Sequence, residues 1–417
     1  MIITGEAVRI SKREVDVGAG RSAALFIFSV LFILFSFTPY TAIIPIHTDI
    51  QPYSILMALF VCMLGLPPTL PSVSWFLVAP PFVSLAIWLA QGGGSFGFRE
   101  TVVYAAPLVT MIATLIILGK NGGREMFQRA IRFAAYGWLV AGLSEHLFGK
   151  EIFSFLLHAA DSSKSRGVTG LATEPSFYGI YCLFLIILNF IMNGNRKDVL
   201  YLCIFQIIIL AESAITVAMF IPLGILLALF YPNRTVIFSV IFASLVSIFA
   251  IIYIFPMIHG VRIVYLVDAL LKHPTYLLDV DRSVNSRVGH MLFSILGFFQ
   301  NFGVPHGFEK FSSYVILEAP RLGYDWIGSL DPSLKIMSGY GSAVFELGWF
   351  GLAFPLAAAI VTFEYFGRRV RAAWIFWLYL AAIMSAAVQI SLPFFGILLG
   401  WLSFYAHGKP DSLTGRF

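Results

Sequence analysis

Arg166-Gly-Val-Thr-Gly-Leu-Ala-Thr-Glu-Pro-Ser176 leads directly into an uncharged apolar run at about 176–193. A run of that length is what an α-helix needs to cross the hydrocarbon of a bilayer. Pro175 suits a helix's first turn, because its missing N–H would lack a partner there anyway. Glu174 then stands at a helix N-terminus and at the edge of a membrane. A carboxylate and a guanidinium at that depth usually mark a site. The alternative is a surface loop whose glutamate complements the helix dipole. A polar stretch, Asp161-Ser-Ser-Lys-Ser165, precedes the motif.

The rest of the chain repeats this pattern. Similar runs lie at about 22–38, 53–67, 72–90, 101–119, 131–148, 198–211, 213–231, 235–256, 340–366, 372–388 and 391–406. Mean hydropathy is +0.86. Only 12% of the 417 residues are charged and 59% are hydrophobic, more than a soluble core absorbs. The expected fold is therefore an all-α polytopic membrane protein of about twelve transmembrane helices. Pro80-Pro81 inside the third run predicts a break or kink there.

Basic residues orient the layout. With the N-terminus inside, the inner segments hold 16 Lys and Arg and the short outer loops hold 4, namely Arg99, Lys150, Lys164 and Arg166. The other 7 fall in one long outer segment, which the positive-inside bias exempts. Both termini are thus expected in the cytoplasm, and the polar Met1–Gly20 stretch reads as a cytoplasmic lead-in. The expected divisions are an N-terminal transmembrane bundle, 1–256, with an outer motif loop at 149–175; a large outer loop, 257–339; and C-terminal transmembrane helices, 340–417. In the long loop Asn285-Ser286 reads as a helix cap ahead of Val288–Phe299, and Gly303-Val-Pro-His-Gly307 as the turn that ends the helix.

Several chemistries find no support. Cys62, Cys182 and Cys203 all sit in apolar runs, with no CxxC pair and no metal-ligand spacing. Neither GxxxxGK[ST] nor GxGxxG after a strand occurs, so nucleotide-driven chemistry and cofactors are not expected. The net charge of +5 is accounted for by membrane orientation, without nucleic acid.

Arg166-Gly-x-Thr-Gly-Leu-x-x-Glu174-Pro-Ser, Ser286-Arg287, Phe302-Gly-Val-Pro-His-Gly307 and Phe345-Glu-Leu-Gly-Trp-Phe-Gly351, with the long outer loop, resemble the O-antigen and exopolysaccharide polymerases and their relatives, the O-antigen ligases. The resemblance spans about 130–400 by layout, and only the short motifs are specific. It implies a GT-C-type membrane glycosyltransferase at the periplasmic face of a bacterial inner membrane, polymerising polyprenyl-pyrophosphate-linked oligosaccharide repeats with inversion. The lipid-linked oligosaccharide would be both donor and acceptor, and a chain-length regulator protein is a further candidate partner. The ligase branch carries a histidine just before the Glu-x-Gly segment, where this chain reads Lys335-Ile-Met-Ser-Gly-Tyr340, which favours polymerase over ligase. A transporter stays open as a different-class alternative, because twelve crossings with both ends inside is also a carrier layout.

Under that resemblance a departing pyrophosphate calls for guanidinium groups, which bond bidentately and stay charged. Arg166, Arg287 and Arg282 are the candidates; the plain alternative is an ion pair with Asp281, Asp279 or Glu174. The attacking hydroxyl must lose a proton to a carboxylate or imidazole. Glu174 is the first choice for that base, with His290 and His306 behind it. Glu346, set inside an apolar run, is a candidate to face the site or pair with a loop arginine. Tyr340 and Arg321 are further candidate substrate contacts, as are the loop aromatics Tyr314, Tyr324 and Trp326. Glu145 and His146 read as helix-end polar groups, and Glu212-Ser213 as a tight outer turn between two crossings, a further candidate to face the same cavity. No metal ligand set is expected.

The 16-to-4 split yields a direct test. A reporter active only outside the cytoplasm should signal when fused at Ser163 or Ser312 and stay silent at Arg196 or Arg369. Signal at Arg369 with none at Ser312 reverses the orientation.

Overall fold

The computed structural model describes residues 4–43, 50–67, 70–157, 167–192, 196–213, 282–323, 336–386 and 388–407, with 215–216, 219–220, 222–224 and 226. Most of the expected crossings at 213–231 and 235–256, and the 257–281 part of the long loop, lie outside these residues. The described elements are helical. In chain order they are α1 (Thr4–Ser36), α2 (Tyr53–Leu64), α3 (Val73–Ala90), α4 (Ser95–Leu118), α5 (Gly123–Phe148), α6 (Pro175–Ile191) and α7 (Lys197–Phe205). There follow α8 (Arg282–Gln300), α9 (Phe311–Arg321), α10 (Gly339–Leu347), α11 (Ala353–Phe366), α12 (Val370–Ala386) and α13 (Pro393–His407). Val73–Ala90, Gly97–Leu118 and Gly339–Phe366 are long and apolar enough to cross a membrane, and Gly20–Ser36, Tyr53–Leu64, Pro175–Ile191 and Val370–Ala386 are shorter apolar helices. The chain is a helical membrane protein.

The α6 helix is the axis of the bundle. Tyr178 through Leu188 are all buried, and a helix apolar on every side belongs in the middle. Its polar atoms are matched by neighbours. The Tyr181 hydroxyl donates to the Phe37 carbonyl at 2.7 Å, where the Trp138 indole N–H also arrives at 3.0 Å. Phe37 lies just past the end of α1, where a helix leaves carbonyls without partners. Tyr178 donates its hydroxyl toward the Gln206 Oε1, 2.9 Å away. Gln206 opens a π-turn, Gln206–Ala211, that continues α7.

Helix continuity differs from the sequence pattern at two places. Pro80 and Pro81 do not break α3, which runs through both. Proline is tolerated in membrane helices because neighbours and local adjustment meet the freed backbone groups. Conversely, 340–366 is interrupted. The helix stops at Leu347, a 3-10 turn covers Gly348–Leu352, and α11 resumes at Ala353. Asn285 is likewise an interior residue of α8, fully buried, where a cap had been expected; tertiary packing overrides its local preference.

The ends of the bundle separate into two faces. At one, Arg124 and Gln128 donate to the Met192 carbonyl at 3.3 and 2.9 Å, Arg124 lies over the Tyr405 ring, and Arg132 pairs with Asp198 at 3.0 Å. This basic face gathers the start of α5 and the ends of α6 and α13. The opposite face gathers the end of α5, the motif loop, the start of α6, and α8.

Against α6 and α4 packs α13, and its contact with α4 depends on Gly396 and Gly400, four residues apart. A Cβ at Gly396 would collide with Thr110, and one at Gly400 would sit 2.8 Å from the Met111 carbonyl. Small residues at this spacing are the usual means of close approach between membrane helices. Gly396→Leu should therefore lower stability by about 1–3 kcal/mol through overpacking, read as a lower unfolding midpoint in detergent. Gly137→Ala is the control, since a methyl there meets nothing within 4 Å. Equal losses in the two variants contradict this packing.

Candidate functional site

The motif loop is held from two sides. From the last turn of α5, the buried Glu145 accepts the Thr169 and Gly170 N–H groups on Oε2 at 2.7 and 2.8 Å, and the Thr169 hydroxyl on Oε1 at 2.8 Å. From the π-turn, the Leu210 carbonyl accepts the Val168 N–H at 2.8 Å. Both motif glycines are required. Gly167 lies against the Leu210 and Ala211 carbonyls so closely that a Cβ would collide with them, and Gly170 has φ +61°, in the left-handed region. Glu212, just beyond, is also left-handed at φ +44°. Burial pushes its carboxyl above the usual range, while the nearby Lys150 and His146 pull it down.

This frame sets Glu174 at the N-cap of α6, with Pro175 in the first turn. The Glu174 carbonyl accepts the Phe177 and Tyr178 N–H groups, both at 3.1 Å. Its side chain makes no capping bond to those amides. Instead, Arg287 Nη2 reaches Glu174 Oε2 at 3.2 Å and the Ser176 Oγ at 2.6 Å, and Ser176 donates to the same Oε2 at 3.0 Å. The Arg287 side chain is 7% exposed and that of Glu174 27%. A buried guanidinium is thus fixed against a carboxylate that still reaches solvent.

One stripe of α8 carries the other candidates. Arg287, His290, Ser294 and Gly297 recur at helical spacing, so they share a face. His290 is buried, accepts the Met337 N–H on Nδ1 at 2.9 Å, and meets the Phe311 ring edge-on at 5.1 Å. A nitrogen that accepts an N–H holds a lone pair, so a neutral ring carries its proton on Nε2. His306 lies level with Gly297, about two turns beyond His290, with Nε2 3.0 Å from the Gly297 carbonyl and its ring stacked on Phe345 at 4.3 Å. Ten residues of helix separate Gly297 from Arg287, about 15 Å, so His306 and Glu174 do not act on one proton together.

The interruption of the α10–α11 helix explains two motifs at once. Gly348 has φ +61° and presses on Gly303 and Pro305. The carbonyls of Phe345 and Glu346 are taken by the His306 and Gly307 N–H groups at 3.1 and 3.2 Å, and the Trp349 N–H goes to the Gly303 carbonyl at 2.9 Å. Phe302–Gly307 and Phe345–Gly351 therefore form one folded unit. The Glu346 side chain is buried and accepts the Tyr104 hydroxyl at 2.5 Å, a partner on α4 that its position in an apolar run did not disclose.

The remaining candidates are scattered. Tyr340 is buried, its ring edge-on to Phe395. Arg321 sits 2.8 Å from Glu318 in an exposed pair, an arrangement of small energetic value. Tyr314 donates to Gln300 at 2.6 Å, and burial with the Glu318 carboxylate beyond it pushes its phenol up to about 12. Arg166, Asp279, Asp281, Tyr324 and Trp326 lie outside the described residues, as does the side chain of Arg282, which opens α8. No group of three metal-ligating side chains occurs among the described residues. Glu145, Ser176 and Tyr104 were not selected from the sequence. The signal for Glu145 was its place at the outer end of an apolar run, where a carboxylate needs a donor.

Removing the Glu145 carboxylate orphans two buried N–H groups at about 1–3 kcal/mol each. Glu145→Ala should speed hydrogen exchange at Thr169 and Gly170 by roughly an order of magnitude or more. Unchanged exchange there would detach the loop from this anchor.

Comparison with protein-family models gives no match, and comparison with curated proteins gives none either.

Proposed function

We propose that this chain is a membrane glycosyltransferase that polymerises polyprenyl-pyrophosphate-linked oligosaccharide repeats at the periplasmic face of a bacterial inner membrane. In this reading both termini are cytoplasmic and the long outer loop covers the site. The observation that supports it most is the pairing of Arg287 with Glu174 and Ser176 at the start of α6. A guanidinium there provides fixed charge for a leaving pyrophosphate. The partly exposed carboxylate beside it is placed to take the proton of an incoming sugar hydroxyl. The sugar is already activated by its pyrophosphate, so the anomeric carbon–oxygen bond breaks as the new one forms and no nucleotide is consumed. His290, about one helical turn from Arg287, is the second candidate base, and Arg166 and Arg282 are the further candidate pyrophosphate ligands.

The same pair would serve as a purely structural link, and kinetics separate the two. Glu174→Gln keeps the shape and an acceptor for Arg287 but cannot take a proton. With purified protein and defined lipid-linked repeats, its single-turnover chain extension should fall at least ~100-fold with donor binding nearly intact. Arg287→Lys should stay inserted and folded yet extend chains poorly, since an ammonium does not reproduce a planar fork. Near-normal extension by Glu174→Gln, with His290→Ala inactive, moves the base to His290. Normal extension by both Glu174→Gln and Arg287→Lys reduces the pair to a structural link.

A further inference from the structure

A groove of about 990 Å³ runs between α1 and α5, with Trp138, which stacks on Tyr178, in its lining. It reaches from Ser22 and Lys120 at the basic face to Thr38 and Leu171 at the motif loop. Fourteen residues of α1 separate Ser22 from the helix end at Ser36, about 21 Å of helix, most of the ~30 Å hydrocarbon thickness. Its walls are apolar: Phe26, Val30 and Leu34 on α1 and Phe133 on α5 are all exposed along it. Charge is confined to the basic end, where Lys120 and Arg129 join the lining with Glu125 as the single acid among the described residues, and Ser29 and Thr38 are neutral polar groups farther along. Gly137 on α5 lies midway, and a Cβ there meets nothing within 4 Å.

We infer that this groove binds one anionic phospholipid, its phosphate held by Lys120 and Arg129 and its acyl chain lying along α1 toward Leu171. Charge selects the occupant. The two bases outnumber the acid, and basic side chains at a membrane surface attract anionic headgroups. The apolar walls begin directly above those bases, at the depth where an acyl chain starts. A soluble ligand would leave the walls without a partner, and a neutral lipid would leave the surplus charge without one. The site is at the opposite face from Glu174 and does not depend on the reading of that residue.

The test uses the full-length protein in vesicles of equal parts phosphatidylglycerol, phosphatidylethanolamine and phosphatidylcholine, extracted in detergent and weighed by native mass spectrometry. One phosphatidylglycerol should remain bound in preference to phosphatidylcholine by roughly 25-fold, the product of roughly fivefold for each of two basic side chains. Lys120→Glu combined with Arg129→Glu should abolish the preference. Gly137→Trp should abolish retention while keeping wild-type helix content and unfolding midpoint, with Gly137→Leu as the smaller substitution if tryptophan perturbs folding. Equal retention of all three lipids overturns the proposal, as does undiminished phosphatidylglycerol in a folded Gly137 variant. Preferential phosphatidylethanolamine lost in Glu125→Gln assigns the groove to a zwitterionic lipid, and a dimer dissociated by Gly137→Trp assigns it to a second copy; either outcome also overturns it.

Discussion

A peptide N–H or C=O in hydrocarbon has no water to turn to, so each departure from a regular helix in this protein must be met by another protein group. The break at Gly348 is possible because the Phe302–Gly307 turn supplies N–H groups for the carbonyls of Phe345 and Glu346. The carbonyl at the end of α1, on Phe37, is met by Trp138 and Tyr181. The motif loop is met by Glu145 and by the carbonyl that the π-turn releases at Leu210. Irregular backbone is concentrated where the polar side chains gather, because the same donors and acceptors serve both.

The three carboxylates illustrate three ways of holding a charge near an apolar interior. Glu145 is surrounded by donors from one short loop, which makes it an anchor. Glu346 is tied to a phenol on α4 and joins two helices that are 242 residues apart in sequence. Glu174 is different, since its partner is a guanidinium and its side chain keeps access to solvent. Of the three it is the one whose charge pair still meets solvent.

The helical membrane architecture was legible because hydrophobic run length is set by bilayer thickness and is written directly in composition. The separate requirements of Gly167 and Gly170 were not read from the sequence, because a close approach to the Leu210 and Ala211 carbonyls and a left-handed φ appear only once the loop is folded. Pairings across long separations were not legible either. Nothing local to Arg287 indicates Ser176, and nothing local to Glu346 indicates Tyr104. The interruption at Gly348 hid inside an apolar run, since Gly-Trp-Phe-Gly is as hydrophobic as the helix it breaks. Asn285 shows the converse error: a residue with strong capping preference is carried inside a helix when its side chain is buried. Arg166 shares a motif with Glu174 but lies outside the described residues, so its partner is not among those the structure identifies.

Glu174 and Arg287 stand 113 residues apart, and that separation has a consequence for biogenesis. A ribosome adding about 5–20 residues per second delivers Glu174 several seconds before its guanidinium exists. Of the two side chains that contact the Glu174 carboxylate in the finished protein, only Ser176 exists during that interval. The polar centre is closed by the arrival of α8, which is made before α13, the helix that packs against α6 and α4. A chain that ends before α8 therefore holds Glu174 without the guanidinium that pairs with it in the finished protein.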